Sequence, residues 1–161
     1  SSYSGNTEET LQAMKSALEK NAKIICITSG GEVEKIARKE KLDLILIPSG
    51  MPPRACLGYS LTQLFFVLEG LNLILADYRK ELTSTISLLE SEQKSIQQED
   101  HQIADFLLNR IPVLYISDGY NGVATRFRQQ INENSKMLCW HNVLPEMNHN
   151  ELVGWIENHQ D

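Results

Sequence analysis

Apolar residues recur three and four positions apart between Asn6 and Lys20, at Leu11, Met14, Ala17 and Leu18, and this period predicts a helix. Asn6, three residues before Glu9, fits an N-cap with its reciprocal carboxylate, so the helix is expected to start there. AKIICITSGG follows as a short β-branched run closed by Ser-Gly-Gly, which reads as a buried strand and a turn. GEVEKIARKEK supplies a polar helix and LDLILIPSG a second strand of the same buried kind. The apolar run from Leu61 to Leu75 is expected to be a buried helix, and the Glu- and Gln-rich stretch from Tyr78 to Asn109, free of Gly and Pro, a helical bridge. The cycle then restarts, with IPVLYISDGYNG as strand and turn, a helix carrying Val123, Phe127 and Ile131, and a strand at MLCW.

Helices alternating with buried strands over short connections imply α/β layering around parallel sheets. The organisation expected is two α/β units, residues 1–76 and 110–161, joined by a helical linker over 77–109. The chain opens at SSYSGNT without Met and stops at WIENHQD. Both ends read as cut, so each unit is expected to lack some of its sheet.

Charge narrows the function. A net charge of -6 and a pI near 5.2 leave no basic stripe to neutralise a nucleic-acid backbone. A bound phosphate would therefore have to be held by hydroxyls, backbone N–H groups and a helix N-terminus. Cys26, Cys56 and Cys139 are odd in number and set among apolar neighbours, which points to neither a disulfide framework nor a metal knuckle, and fits a reducing cytoplasm. No secretory leader is recognisable, and the longest apolar stretches are interrupted by Glu69, Asn72 and Asp77.

The densest chemistry lies at the start. Ser2, Ser4 and Thr7 surround Gly5 at the mouth of the first helix, where unpaired amides and the helix dipole favour an anion. The same cluster would equally serve as a plain helix cap and turn. The pattern S-x-S-G-x-T leading into a Glu-rich helix resembles the phosphosugar loop of sugar isomerase (SIS) domains. ITSGGE at 27–32, IPSGMPPRACLGYS at 47–60, and INEN with PEMNHNELVGW between Ile131 and Trp155 resemble the bifunctional phosphoglucose/phosphomannose isomerase branch of that family.

The resemblance implies two doubly wound SIS-type parallel-sheet units and the aldose–ketose isomerisation of hexose 6-phosphates through an enediolate, with no cofactor. Glucose 6-phosphate and fructose 6-phosphate are the implied substrates, with mannose 6-phosphate as a further one. Ser2, Ser4 and Thr7, with backbone help from Tyr3 and Gly5, match the family's phosphate loop. Glu133 matches its catalytic base, and Arg54, on a stiff Pro-Pro mount, the arginine that stabilises the enediolate. His149 matches the histidine that opens the pyranose ring, a group contributed across a dimer interface, so a homodimer with a shared active site is implied. Thr28 and Ser29 are candidates for the pocket wall at a strand end.

Without the resemblance, Glu133 reads as a solvated carboxylate on a polar face with Arg126 and Gln130, and Arg54 as a surface or interface cation. His141, Glu146, His149 and Glu151 do not make a metal set, because no helical H-E-x-x-H or cysteine partner accompanies them. The family's glycine-serine loop ahead of SYSGNT and its C-terminal helix have no counterpart here. Two other readings stay open: a non-catalytic SIS module that binds a sugar phosphate for regulation, and an α/β domain whose serine loop only caps a helix.

Overall fold

A computed structural model describes residues 1–156 of the chain as seven α-helices and four strands. They divide into two compact units, 1–87 and 88–161, with the division falling inside α4. In the first unit, α1 (Glu8–Glu19) leads to β1 (Ile25–Thr28), α2 (Gly31–Lys39) and β2 (Asp43–Leu46). A short 3-10 turn, Pro53–Ala55, then precedes α3 (Leu57–Gly70). Two further helices follow, α4 (Tyr78–Ser91) and α5 (Gln93–Leu107). The second unit is built on β3 (Val113–Ser117), α6 (Asn121–Gln130), β4 (Trp140–Leu144) and α7 (Met147–Ile156).

Each unit is organised by one parallel β–α–β crossover. β1 pairs with β2 from Ile25↔Asp43 to Thr28↔Leu46, and β3 with β4 from Val113↔Trp140 to Ser117↔Leu144. The fold class is therefore α/β with parallel strands, as the alternation implied. Met14 of α1, Cys26 of β1, and Val33 and Ala37 of α2 form the buried core of the first unit, ringed by Leu11, Ile24, Ile36, Leu42 and Leu44. Ala37 matters because its small side chain lets α2 lie close on the strands.

Several elements depart from the hydrophobic pattern for identifiable reasons. β1 is buried along most of its length because the Ser2–Tyr3 segment is bonded along its other edge, whereas β2 exposes Asp43 and Leu46. The run expected as a buried helix over 61–75 starts earlier, at Leu57, and ends at Gly70, where Asn72 takes up positive φ. None of its residues is buried; Leu61, Leu64 and Phe66 face solvent, since the small sheet covers only part of so long a helix. The bridge breaks into two helices at Glu92 without Gly or Pro. The Ser91 and Ser95 hydroxyls bond the carbonyls of Leu88 and Glu92 there, competing with the helical ladder.

In the second unit, the helix carrying Val123 and Phe127 packs through Ala124, which is 2% exposed against 63% for Val123 and 41% for Phe127. The smallest apolar residue takes the contact because it brings the helix backbone closest to β3 and β4. The strand expected at MLCW begins only at its last residue, Trp140, whose N–H bonds Pro112 O. Its ladder can start no earlier than β3 does. Among the described residues, no helix is long and apolar enough to cross a membrane.

Candidate functional site

The Ser2–Thr7 segment lies against the C-terminal end of β1 and is held there by backbone bonds. Ser2 N donates to Ile27 O at 3.1 Å, and Ser29 N to Tyr3 O at 3.0 Å. The Ser29 hydroxyl donates to the same Tyr3 oxygen at 2.6 Å. Gly5 has φ of +68°, and a Cβ there would stand 1.9 Å from Gly30 O. Gly31, at φ +75°, is the reciprocal case, with its missing Cβ 2.2 Å from Ser4 O. Only two glycines let the serine loop and the Thr28–Gly31 turn cross at this separation.

The crossing redirects the polar groups. Asn6 does not cap its own helix as expected; its Oδ1 accepts the Glu32 N–H of α2 at 3.0 Å, while Gly5 O accepts that of Val33 at 2.9 Å. The serine loop is thus the N-terminal cap of α2, whose own N-cap position, Gly30, has no side chain to offer. The residue at the N-cap of α1 is Thr7, and its hydroxyl lies 2.9 Å from the Ser2 hydroxyl instead of capping.

The proposed anion donors therefore fall into two layers. Ser2 is buried and stands behind Thr7, while Ser4 and Thr7 are exposed and Tyr3 is half-buried. The Ser4 hydroxyl accepts the Asn6 N–H at 3.2 Å, which fixes its direction. Thr28 is fully buried and its hydroxyl donates to Gly30 O at 2.8 Å; Ser29 is half-buried. Both carry the loop from beneath. A groove of about 320 Å³ opens on the other side of Ser2, lined by Thr10, Met14, Ile25 and Cys26 among others, and neither Ser4 nor Thr7 lines it.

Arg54 is exposed on the 3-10 turn, with Pro53 at the first position of that turn. The loop it belongs to meets the serine loop through a bond from Met51 N–H to the Tyr3 phenol, at 3.1 Å. Tyr3, Ser4, Thr7 and the Arg54 loop accordingly belong to one end of the first unit.

In the second unit, Glu133 is exposed in a single π turn, Ile131–Ser135, that continues α6 and is closed by Lys136 at φ 56°. Such turns bulge one residue out of the helical ladder and recur at functional positions. His149 is exposed near the start of α7. That helix is fixed by Glu151, whose carboxylate accepts from Asn142 Nδ2 at 2.6 Å, from Trp155 Nε1 at 3.1 Å and from the Tyr115 hydroxyl. These donors, Asn142 first and Tyr115 next, hold the Glu151 carboxyl below the usual carboxylate range and outweigh its partial desolvation. Glu151 and Trp155 are one turn apart and face the sheet, whereas His149 lies about 200° around the helix from Glu151. Among the described residues, no three His, Cys, Asp or Glu side chains converge as a metal set.

Residues 96–161 match the family model of the bacterial phospho-glucose isomerase C-terminal SIS domain. Over 96% of its length the chain is 44% identical to a bifunctional phosphoglucose/phosphomannose isomerase of Caldicellulosiruptor bescii, covering 48% of that protein. It is 38% identical, again over 96% of the chain, to the one from Aquifex aeolicus, covering 46% of it. By sequence the chain is similar over nearly its whole length to SIS-domain phosphoglucose/phosphomannose isomerases.

The chain spans about half the length of the curated relatives it matches. The relatives also include a D-glucosamine-6-phosphate 4-epimerase of Sulfolobus acidocaldarius, 36% identical over 94% of the chain, which covers 48% of it. Sequence reasoning missed the capping role of Asn6 and the side-chain role of Tyr3. The TSGG turn was the available signal for the first, because paired glycines mark a close backbone approach. Nothing in the local pattern pointed to the second, whose partner lies 48 residues away.

Proposed function

We propose that this chain carries the phosphate anchor and the acid–base groups of an aldose–ketose isomerase acting on hexose 6-phosphates. The observation that carries the reading is the loop at the end of β1, where two exposed hydroxyls, Ser4 and Thr7, are held by a backbone crossing that only Gly5 and Gly31 permit. A loop locked in this way orients donors for an anion without any mobile cation. The similarity to phosphoglucose/phosphomannose isomerases supports the substrate class.

In this reading Ser2, Ser4 and Thr7, with the Tyr3 and Gly5 backbone, hold the phosphoryl end. His149 moves a proton to the ring oxygen and opens the sugar, Glu133 carries the proton between C1 and C2, and Arg54 stabilises the enediolate between them. Glucose 6-phosphate and fructose 6-phosphate are the proposed pair, with mannose 6-phosphate as a further substrate and no cofactor. Residues 1–76 and 110–161 are proposed as two SIS-type doubly wound units joined through 77–109. The outward direction of His149 on α7 supports a homodimer with a shared site, and three free, buried cysteines support a cytoplasmic location.

The test is a coupled assay for fructose 6-phosphate conversion by wild type and Glu133→Gln, beside a binding measurement with glucose 6-phosphate. Removing the base lowers turnover by about 10²–10⁴-fold and leaves binding in place, because anchor and base are separate groups. Unchanged turnover removes Glu133 from the mechanism. Binding without any turnover in wild type favours the regulatory SIS module instead. The epimerase among the relatives supports a second reading, epimerisation of an amino-sugar phosphate at C4. Conversion of glucosamine 6-phosphate, with fructose 6-phosphate left untouched, would decide for it.

A further inference from the structure

An anion loop built from hydroxyls and amides has no chemical need of an aromatic side chain, yet Tyr3 sits at its centre. Its carbonyl is fixed by Ser29 N, by the Ser29 hydroxyl and, at 3.4 Å, by the Thr28 hydroxyl. From that base the phenol oxygen accepts the Met51 N–H at 3.1 Å. The Cys56 thiol interacts with the same phenol, the chief reason its pKa lies above the ordinary tyrosine value. Cys56 is itself buried and its thiol donates to Pro52 O at 3.3 Å.

Met51 and Cys56 are the two ends of the six-residue segment that carries Arg54. Within the segment, Ala55 N donates to Pro52 O at 2.9 Å and Cys56 N to Pro53 O at 3.1 Å, and both prolines have restricted φ. The segment is thus a closed turn whose first amide is bonded to the Tyr3 phenol, and that phenol belongs to the loop that would hold the phosphate. A guanidinium stabilises developing charge only while it is held in register with the bound substrate, and a displacement of 1 Å can cost about 10²-fold in rate.

We propose that Tyr3 is a positioning residue: its hydroxyl locks the Arg54 turn to the serine loop, so that phosphate anchor and enediolate stabiliser move as one body. The proposal rests on the isomerase reading for its functional half, while the tie itself can be measured without activity.

The test uses Tyr3→Phe in the full chain, which keeps the ring and removes only the hydroxyl. Amide exchange at Met51 is expected to accelerate about fivefold or more, the loss of one ordinary hydrogen bond. With fructose 6-phosphate, kcat is expected to fall about tenfold and KM to stay within about twofold, because the loop backbone that binds phosphate is untouched. In an Arg54→Ala background, Tyr3→Phe should lower kcat no further, since the two act as a unit. Unchanged Met51 exchange overturns the tie and leaves the isomerase reading standing. A rise in KM alone, or an equal fractional loss of kcat in the Arg54→Ala background, overturns positioning through Arg54. Wild type without turnover, with Met51 exchange still accelerated in Tyr3→Phe, overturns the isomerase reading and the positioning role with it.

Discussion

Between Ser2 and Thr7 almost every polar group is bonded to β1, α2 or a loop neighbour, whereas Glu133 and His149 stand exposed at the ends of α6 and α7. The first region is assembled by backbone contacts distant in sequence, with glycines where chains cross. The second presents single side chains from otherwise ordinary helical segments, one on a π turn and one on a helix pinned by Glu151. An anchor must keep several donors in fixed register to grip one charged group, so it is built rigidly. A proton carrier needs only to reach its atom, and a side chain at an element end suffices.

The sharpest way to break this contrast is Gly5→Ala. A Cβ would meet Gly30 O at 1.9 Å from a backbone at φ +68°, so strain and displacement together should cost about 3 kcal/mol or more. Glu133→Gln, by contrast, should change stability by less than about 0.5 kcal/mol, as an exposed substitution does. Urea melts of both variants check the pair; equal losses would erase the distinction between a built loop and a presented side chain.

Ser4→Ala and Thr7→Ala each remove a donor to the phosphoryl group, and affinity for a hexose 6-phosphate should fall by about 1.5–3 kcal/mol, roughly 10- to 150-fold. Titration with glucose 6-phosphate measures this, and an unchanged constant removes the residue from the anchor. Asn6→Ala touches no donor of the anchor but uncaps α2, and should cost about 1 kcal/mol of stability with much less effect on binding.

The smallest effect concerns the second region. The folded-state pKa of Glu151 is depressed, so its carboxylate stabilises α7 fully above the unfolded carboxyl pKa, and that contribution disappears as pH falls through the depressed value. Thermal melts below neutral pH should reveal a loss that Glu151→Gln abolishes. An identical acid dependence in the variant would assign the effect to other groups.

The local sequence carried the helices and strands of both units and their α/β class, because buried strands and amphipathic helices announce themselves through period and turn residues. It carried the serine loop as well, since hydroxyls around a glycine at a helix mouth are themselves the chemistry. What it misjudged followed from packing. Val123 and Phe127 look like a core face, but Ala124 makes the contact because a parallel sheet accepts the closest helix, not the largest side chain. Leu61, Leu64 and Phe66 look buried, but the sheet beneath them has only two strands.

Sequence by itself therefore determined the order of helices and strands, which loop is rich in donors, and the likeness to phosphoglucose/phosphomannose isomerases. Only the tertiary structure decided that Asn6 caps α2, that Gly5 and Gly31 lie against each other's neighbours, and that Tyr3 holds the turn bearing Arg54. The reason is range. Period and propensity are set by neighbours a few residues apart, whereas these three contacts join positions 25 to 48 residues distant, and such partners come together only when the crossover β1–α2–β2 has closed.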